Sequence, residues 1–582
     1  MQQQIRPMDK MAMRILQINP VSQQSMVVTA SGCDPLFSGN YYRISQITTD
    51  TDAYLITQRY IYRSALSSGS TAGTHGYAFA TAPQIGVTIS ATCDYVTLVW
   101  DRGYPPCHIT VTLSGGTQAS TTDYYLDYVD HLTIEPGDAT TITYTIRSMQ
   151  MPGVSLSIYH AFAGTFCDVP SDDILSIDYH DINDGVGLEL PQITAKIVTR
   201  NDGAFDRITE MSNPTFSKYD TQCILQYGLQ LTGGYEYVPL PKLFLDGYKV
   251  GIETVTWTFV GASTVANDGL FLWSRLSANM PYGYRVSSVF SDIFTHQLSY
   301  LDPNGDLILS PYRRYNMHCI ASSINNSNVD MVMPLPLVSA AQALQLLCLY
   351  TRNCVLLKRG QYDVVVNPIL YNTAVCGDLT DDQCYGKPDW TADNAADVIT
   401  VRQYSYSATN TQKTVVENAH VSASGVSVIY YDDIVIAGTV SSLSGTSITQ
   451  KTGFSHYPHC VYLQAASDVD DVVISAQIRP ITKQDIPCRC GPGSDTIVVD
   501  NPLQYARQNV LTAQYLANTV FSVLQHRVLG TVDHRGRPDL DAGDVVTVST
   551  SSGAPGTALI VENSWTLSAG GEMSGKTIFR LL

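Results

Sequence analysis

Three potential metal ligands stand within five residues at His456-Tyr-Pro-His459-Cys460. A second soft pair follows at Cys488-Arg-Cys490, and Cys376 and Cys384 lie eight positions apart. A tetrahedral ion needs converging ligands, as C-x2-C or H-x3-H pairs supply and these spacings do not. They read as loop or sheet side chains, with metal binding by His456, His459 and Cys460 left open. Asp302-Pro-Asn-Gly-Asp306 has the outline of a calcium loop but lacks the remaining ligands and a bidentate glutamate. A hairpin turn on Asn304-Gly305 explains it better. No G-x-S-x-G elbow, Walker loop, dinucleotide fingerprint or H-E-x-x-H occurs. Paired carboxylates for sugar hydrolysis come from distant strands, so the 52 acidic residues neither support nor exclude them. The sequence assigns no catalytic, cofactor-binding or metal residue and implies no cofactor. It does not read as an enzyme.

Bulk properties narrow the class. The chain has 582 residues, with 34 basic against 52 acidic side chains and a formal net charge of −18. That length predicts roughly three to five domains at about 150 residues each. Hydrophobic residues at 44% suffice for several cores, while charged residues reach only 15%. Polarity comes instead from Ser, Thr, Asn and Gln, and 36 Tyr outnumber 14 Phe. A highly charged helical protein is excluded. Nucleic acid is disfavoured as a specific partner, because phosphate binding needs a basic stripe. Only 11 Lys occur, with none between Lys10 and Lys196. No apolar run approaches the roughly 20 residues of a membrane span, and Met1–Pro20 has no secretory h-region. The 13 Cys are scattered singly, which predicts buried or free thiols from a reducing cytoplasm.

The elements that must position these residues are mostly strands. His108-Ile-Thr-Val-Thr-Leu, His131-Leu-Thr-Ile, Thr141-Ile-Thr-Tyr-Thr-Ile and Val154-Ser-Leu-Ser-Ile alternate apolar and hydroxyl residues. Ser114-Gly-Gly, Glu135-Pro-Gly-Asp and Met151-Pro-Gly punctuate them, the pattern of an antiparallel sandwich. Strand signals recur at Ile193-Thr-Ala-Lys-Ile-Val, Cys223–Leu229 and Glu253–Val260. Val286, Val289, Phe290, Ile293, Phe294 and Leu298 form one helical stripe. Ser339 caps a second helix that buries Ala340, Ala343, Leu344, Leu347 and Cys348. The strand-turn-strand Cys354–Val366 follows, turning at Arg359-Gly360. A long helix is expected from a cap at Asp500-Asn501-Pro502 to about Arg527, and closing strands at Val545–Val548, Ala558–Val561 and Ile578–Arg580.

Four ordered segments resemble one family. They are Asp173–Tyr179 with Leu188–Pro191 and Val198–Asp206; Leu225–Leu229 with Gly234–Leu245; Ala340–Val366; and Asn501–Arg527 with Asp533–Pro538 and Ala542–Val548. The set is similar to the baseplate or tail-tip hub proteins of tailed bacteriophages, especially long-tailed phages and prophages of Gram-positive bacteria. It covers 173–368 and 500–582, about half the chain. Asn201-Asp202-Gly203 reads as a hairpin turn in that setting. Leu225–Gly228 with Gly233-Gly234 and Tyr237–Leu245 reads as a barrel wall, and Gly536-Arg-Pro with Ala542-Gly-Asp as turns entering the closing strand.

The resulting expectation is a mainly β, multidomain fold with a minor α component and a few helices. Its domains are 1–170, a sandwich-like accessory domain; 171–368, tube-forming β-barrel and α/β domains; 369–500, a β-rich insert; and 501–582, a helix plus a closing barrel. The resemblance implies a homotrimeric ring in the virion, at the tail tip or baseplate, made in the bacterial host cytoplasm. Its implied partners are distal tail or tail-tube proteins, the tape-measure protein and receptor-binding or tip proteins, with DNA passing transiently and unbound. The ending soon after the last barrel leaves no room for the C-terminal peptidoglycan hydrolase of some hubs. The rival reading is a carbohydrate-binding or glycan-cleaving β protein of the virion or cell surface, and the 1–170 region is expected to bind glycans or neighbouring tip proteins. An acidic or neutral channel wall would let DNA pass; the acidity serves equally to keep an assembly soluble.

Overall fold

A computed structural model describes residues 10–18, 26–31, 33–35 and, with gaps in several loops, 62–203, 216–271, 284–321, 330–450, 459–500 and 510–582. The Asp302–Asp306 turn, Asp202, Gly233, Gly360, His456 and the Asn501-Pro502 cap lie outside the described residues. The chain is mainly β, with several sheets, several separate cores and few helices.

The first core is a sandwich. Gln84–Ile89, Thr141–Met149, Pro106–Ser114 and Ser120–Tyr125 are hydrogen-bonded in that order, all antiparallel. Alternation sends Ile85, Val87, Ile109, Val111, Ile142, Tyr144 and Ile146 inward. Tyr95–Trp100 and His131–Ile134 cover them from a second sheet through Val96, Leu98, Leu132 and Ile134. That second sheet runs on through Ser157–Val169. One half of this long strand pairs with Tyr95–Trp100, the other with Lys10–Ile18.

Lys10–Ile18 pairs on its far edge with Thr221–Leu231 and buries Met11, Met13 and Ile15 in the next core. The strand at the start of the 1–170 region therefore lies in the sheet of the following unit. Beyond it the sheet continues through Leu243–Val250, Thr254–Val260, Gln192–Arg200 and Ile174–Ile182. These strands wrap one core containing Tyr179, Ile193, Ile197, Leu225, Phe244, Trp257 and Phe259 as an open, barrel-like sheet, the first barrel.

Against this barrel pack Ala262–Ala266, Val286–Thr295 and Ala340–Tyr350. Val286, Val289, Phe290 and Ile293 are buried as the stripe predicts, but the helix ends at Thr295 and Leu298 belongs to the strand Gln297–Leu301. Ser339 starts the third helix with a capping box. Its Oγ accepts the Gln342 N–H at 3.1 Å while Gln342 Oε1 accepts the Ser339 N–H at 3.2 Å. The wholly buried strand Asn353–Leu357 then pairs with Val364–Pro368.

A second open, barrel-like sheet, the second barrel, runs Val375–Thr380, Val545–Ser549, Gly556–Leu567, Met573–Leu581, Val528–His534 and Asp389–Ala392. Leu379, Val532, Val546, Val548, Ala558, Ile560 and Phe579 fill it, with Trp390 packed alongside. Gly556–Leu567 belongs to both barrels: its first half pairs with Val545–Ser549, its second with Ile174–Ile182. Between Ala392 and Val528, themselves paired, the chain makes an insert. There Val398–Tyr406 lies between Ile481–Arg489 and Thr496–Asp500 under the helix Val510–Leu524. Asp500 thus ends a strand. A further small core forms where Thr411–Val421 pairs with Val469–Ile478.

Candidate functional site: the joint between two barrels

Charge is sparse in this chain, so buried charge marks where elements are fastened. Asp181 sits on the inner side of the Ile174 strand. Lys358 and Arg359 follow the buried Asn353 strand, and Asp541 and Asp544 occupy the turn that enters the Val545 strand. Gly543 makes that turn possible at φ +90°, where a Cβ would also lie 2.7 Å from Leu356 Cδ2.

The five groups form one network. Lys358 Nζ bonds Asp544 Oδ1. Arg359 grips Asp541 with Nη2 on Oδ1 and with Nε on Oδ2 at 3.0 Å, while its Nη1 donates to Pro538 O at 2.8 Å. The Asp541 N–H donates to Asp544 Oδ2 at 2.9 Å, and the Ala542 N–H to Asp181 Oδ2 at 2.8 Å. Three carboxylates thus face two cations. Burial, reinforced by Asp541, holds the Asp181 pKa well above the ordinary carboxylate range. Of the three carboxylates, Asp181 is the one whose protonated form the fold favours. Burial opposes charge on Lys358 and Arg359, but the facing carboxylates outweigh it and raise both.

A second chain of bonds continues into the C-terminal barrel. Asn563 Nδ2 donates to Leu540 O and Arg537 O at 2.8 and 2.9 Å, and Thr577 Oγ1 donates to Asn563 Oδ1 at 2.9 Å. His534 Nε2 lies 2.8 Å from Thr577 Oγ1, and His534 Nδ1 accepts the Gly536 N–H at 3.0 Å. Nδ1 is thus the acceptor, and the proton of the neutral ring sits on Nε2. Burial lowers the His534 pKa to about 4. Chemically the joint is a clamp: it binds strand to turn and excludes water.

The residues singled out by spacing are elsewhere. His459 is buried with Nδ1 3.3 Å from Tyr431 O, and the Cys460 carbonyl accepts from Tyr431 Oη at 2.9 Å. Cys488 packs into the insert core with Ile399 and Val401, and Cys490 lies by Gln514 and Asn518. Cys376 is exposed, while the backbone of Cys384 pairs with that of His534 in an isolated antiparallel β-bridge. Among the described residues no group of three His, Cys, Asp or Glu is arranged to hold a metal, and no helix is long and apolar enough to cross a membrane. Sequence reasoning marked Arg359-Gly360 and Ala542-Gly543-Asp544 as turns and missed their charges. The available signal was Lys358-Arg359 against Asp541-x-x-Asp544 in a chain with 15% charged residues.

The solvent side of the shared sheet has a different character. Asp178, His180, Thr194, Lys196, Thr258 and Ser564 line a shallow groove of about 340 Å³. Asp178 is the cross-strand partner of Lys196, and His180 Nε2 lies 2.9 Å from Glu562 Oε1. Acidic and basic residues thus stand opposite one another on this face, with hydroxyl residues among them.

No family model and no curated protein matches the chain. Among solved structures it is similar to a tail protein from Neisseria meningitidis MC58, at 10% identity and TM-score 0.39 over 70% of this chain and 92% of that one. It is similar to the prophage tail protein gp18 from Listeria monocytogenes EGD-e, at 9% identity and TM-score 0.33 over 71% and 90%. A third is the E. coli c3393 protein, described as a type VI secretion component with structural similarity to the T4 tail proteins gp27 and gp5. There the values are 7% identity and TM-score 0.29, over 70% of this chain and 74% of that one.

Proposed function

We propose that the chain is a structural subunit of a bacteriophage tail, the hub of its tip or baseplate. It would join the tail tube to host-facing proteins and form part of the DNA-ejection channel as a homotrimer. One observation carries this reading: a single sheet passes unbroken from the Thr254 strand through both barrels to the Met573 strand. Such a sheet is a wall, packed on one side and exposed on the other, and a ring of such walls makes a tube. The buried joint supports the reading, since a tube under load needs its two barrels held at a fixed angle. The segments resembling hub proteins include most of the Ile174 strand of this wall and the end of its Gln192 strand. The role is mechanical and needs no catalysis.

On this proposal the matched, hydroxyl-rich face lines the bore. Lys196 beside Asp178 then presents little net charge to passing DNA, and duplex is not retained. The sandwich and the 369–500 insert are outward modules for neighbours or host, with the Lys10 strand counted in the 171–368 unit. Cryo-microscopy of the intact particle is the test. Density for this chain as a threefold ring beneath the tube supports the hub, and a peripheral appendage refutes it. Micromolar or tighter duplex binding at roughly 0.15 M salt would refute the passive bore.

A further inference from the structure

The outer face of the sandwich carries a compact group that the barrel joint does not use. Across the Pro106 and Ser120 strands, His108 is the partner of Tyr125, and Thr110 the partner of Asp123. The core takes Ile109 and Val111, so alternation turns His108, Thr110, Asp123 and Tyr125 to the opposite face. Arg147 joins them from the Thr141 strand, its Nε donating to Thr110 Oγ1 at 3.0 Å. His75 arrives from the loop before Tyr77–Ala78, its carbonyl accepting from Ser148 Oγ.

Tyr125 is 57% exposed, yet its ring is fixed. It stacks on His108 at 4.6 Å between centroids and meets His75 at 4.2 Å, while the two imidazoles are 6.0 Å apart. Those three distances set a near right angle at the tyrosine. The imidazoles therefore do not face each other across the ring, and its 57% exposure leaves ring surface open to solvent. Beside it, Asp123 Oδ1 accepts from Thr110 Oγ1 at 2.6 Å and from His108 Nε2 at 3.1 Å. Among the described residues, Asp123 Oδ2 and both Nη groups of Arg147 have no hydrogen-bond partner. Tyr104 and Met151 add exposed apolar surface at the same end, where the Gln150 N–H donates to Pro105 O at 3.0 Å.

We propose that this face is a saccharide-binding site. A sugar ring has an apolar C–H face and a rim of hydroxyls. The exposed surface of the Tyr125 ring supplies the apolar platform, pre-ordered by the imidazole contacts so that little side-chain freedom is lost on binding. Asp123 Oδ2 accepts from rim hydroxyls, and the Arg147 Nη groups donate to ring or rim oxygens. The hydrogen bonds from Thr110 and His108 lower the Asp123 pKa and keep it an acceptor. An apolar peptide would use the tyrosine but leave the carboxylate and guanidinium unanswered; a nucleic acid would face Asp123. The site does not depend on the hub reading.

The test is binding of the full chain to an array of immobilised oligosaccharides bearing hexoses, N-acetylhexosamines, deoxyhexoses and uronic acids. The wild-type chain is expected to bind at least one glycan. Tyr125→Ala and Arg147→Ala are each expected to weaken it about tenfold or more, while Tyr125→Phe stays within about threefold. Circular dichroism of each variant reports its fold independently, and both substituted side chains are exposed. A silent array for the wild-type chain, or a signal that survives Tyr125→Ala, overturns the proposal. Neither result bears on the particle density that tests the hub.

Discussion

Removing Arg359 tests the barrel joint directly. In Arg359→Ala the Asp541 carboxylate, with its side chain only 4% exposed, loses both guanidinium bonds, and Pro538 O loses its donor. Breaking a buried, hydrogen-bonded pair costs about 3–5 kcal/mol, because a charge is left without compensation. The Arg359 side chain is 20% exposed, so water reaches part of the vacated space and the lower figure, about 3 kcal/mol, applies. A chain of several domains does not unfold in one step, so a global midpoint is the wrong measure. Native-state hydrogen exchange reads the joint itself. The Asp541, Ala542 and Asp544 amides, bonded to Asp544, Asp181 and the Asp541 carbonyl, should exchange on the order of a hundredfold faster in the variant. Amides of the sandwich strands should not change. The double variant Arg359→Met with Asp541→Leu removes both charges together and should recover most of the protection. Two outcomes refute the reasoning: a change under about threefold in Arg359→Ala, or a double variant no better protected than the single one.

Further expectations concern the groups around the joint. The fold raises the Asp181 pKa, so its contribution is complete below the ordinary carboxylate pKa and is lost as pH rises through its raised value. Asp181→Asn should make joint stability independent of pH on the alkaline side, measured by exchange corrected for intrinsic rate. His534 behaves in the opposite sense. With its pKa lowered from 6.5 to about 4, its contribution is present above 6.5 and disappears as pH falls toward 4. Native-state hydrogen exchange of the C-terminal barrel amides, corrected for intrinsic rate, should show up to about 3 kcal/mol lost over that window, and His534→Gln should flatten it. Gly530→Ala should destabilise the same barrel by about 1–3 kcal/mol, read from native-state hydrogen exchange of its strand amides. A Cβ there would lie 2.3 Å from Phe579 Cζ and 2.9 Å from Trp390 Cζ3, displacing an edge-to-face pair 5.7 Å apart.

What the sequence disclosed follows from the range of the interactions involved. The cap at Ser339, the sandwich strands and the buried faces of the helices depend on neighbours a few residues away, the first readable from its residue type and the others as periodicity. The helical stripe was read one turn too far because Leu298 keeps the period by chance, inside a strand that pairs with Leu307–Leu309. The membership of Lys10–Ile18 was not readable, since the strand is defined by partners near residues 164 and 225. The same holds for the joint, whose charges come from three distant segments that each look like an ordinary turn or strand. The Tyr125 platform was hidden for a further reason. Its tyrosine and His75 sit in different elements, and a bulge in the Thr141 strand sets how Arg147 and Ser148 are presented.

The strand shared by the two barrels also sets a timetable for synthesis. His180 meets Glu562 across that seam, and 382 residues separate them in the chain. At about 5–20 residues per second, the Ile174 strand waits on the order of half a minute for its partner to be translated. During that interval the first barrel exposes an unpaired edge of alternating apolar residues, the kind of surface on which nascent chains stick to one another. The insert is complete before Gly556–Leu567 emerges, so the seam must close after its neighbours have folded. Ribosome stalling between about 260 and 556 would therefore yield aggregates, and slow translation of the final stretch would lower the yield of folded chain more than equal slowing at the start.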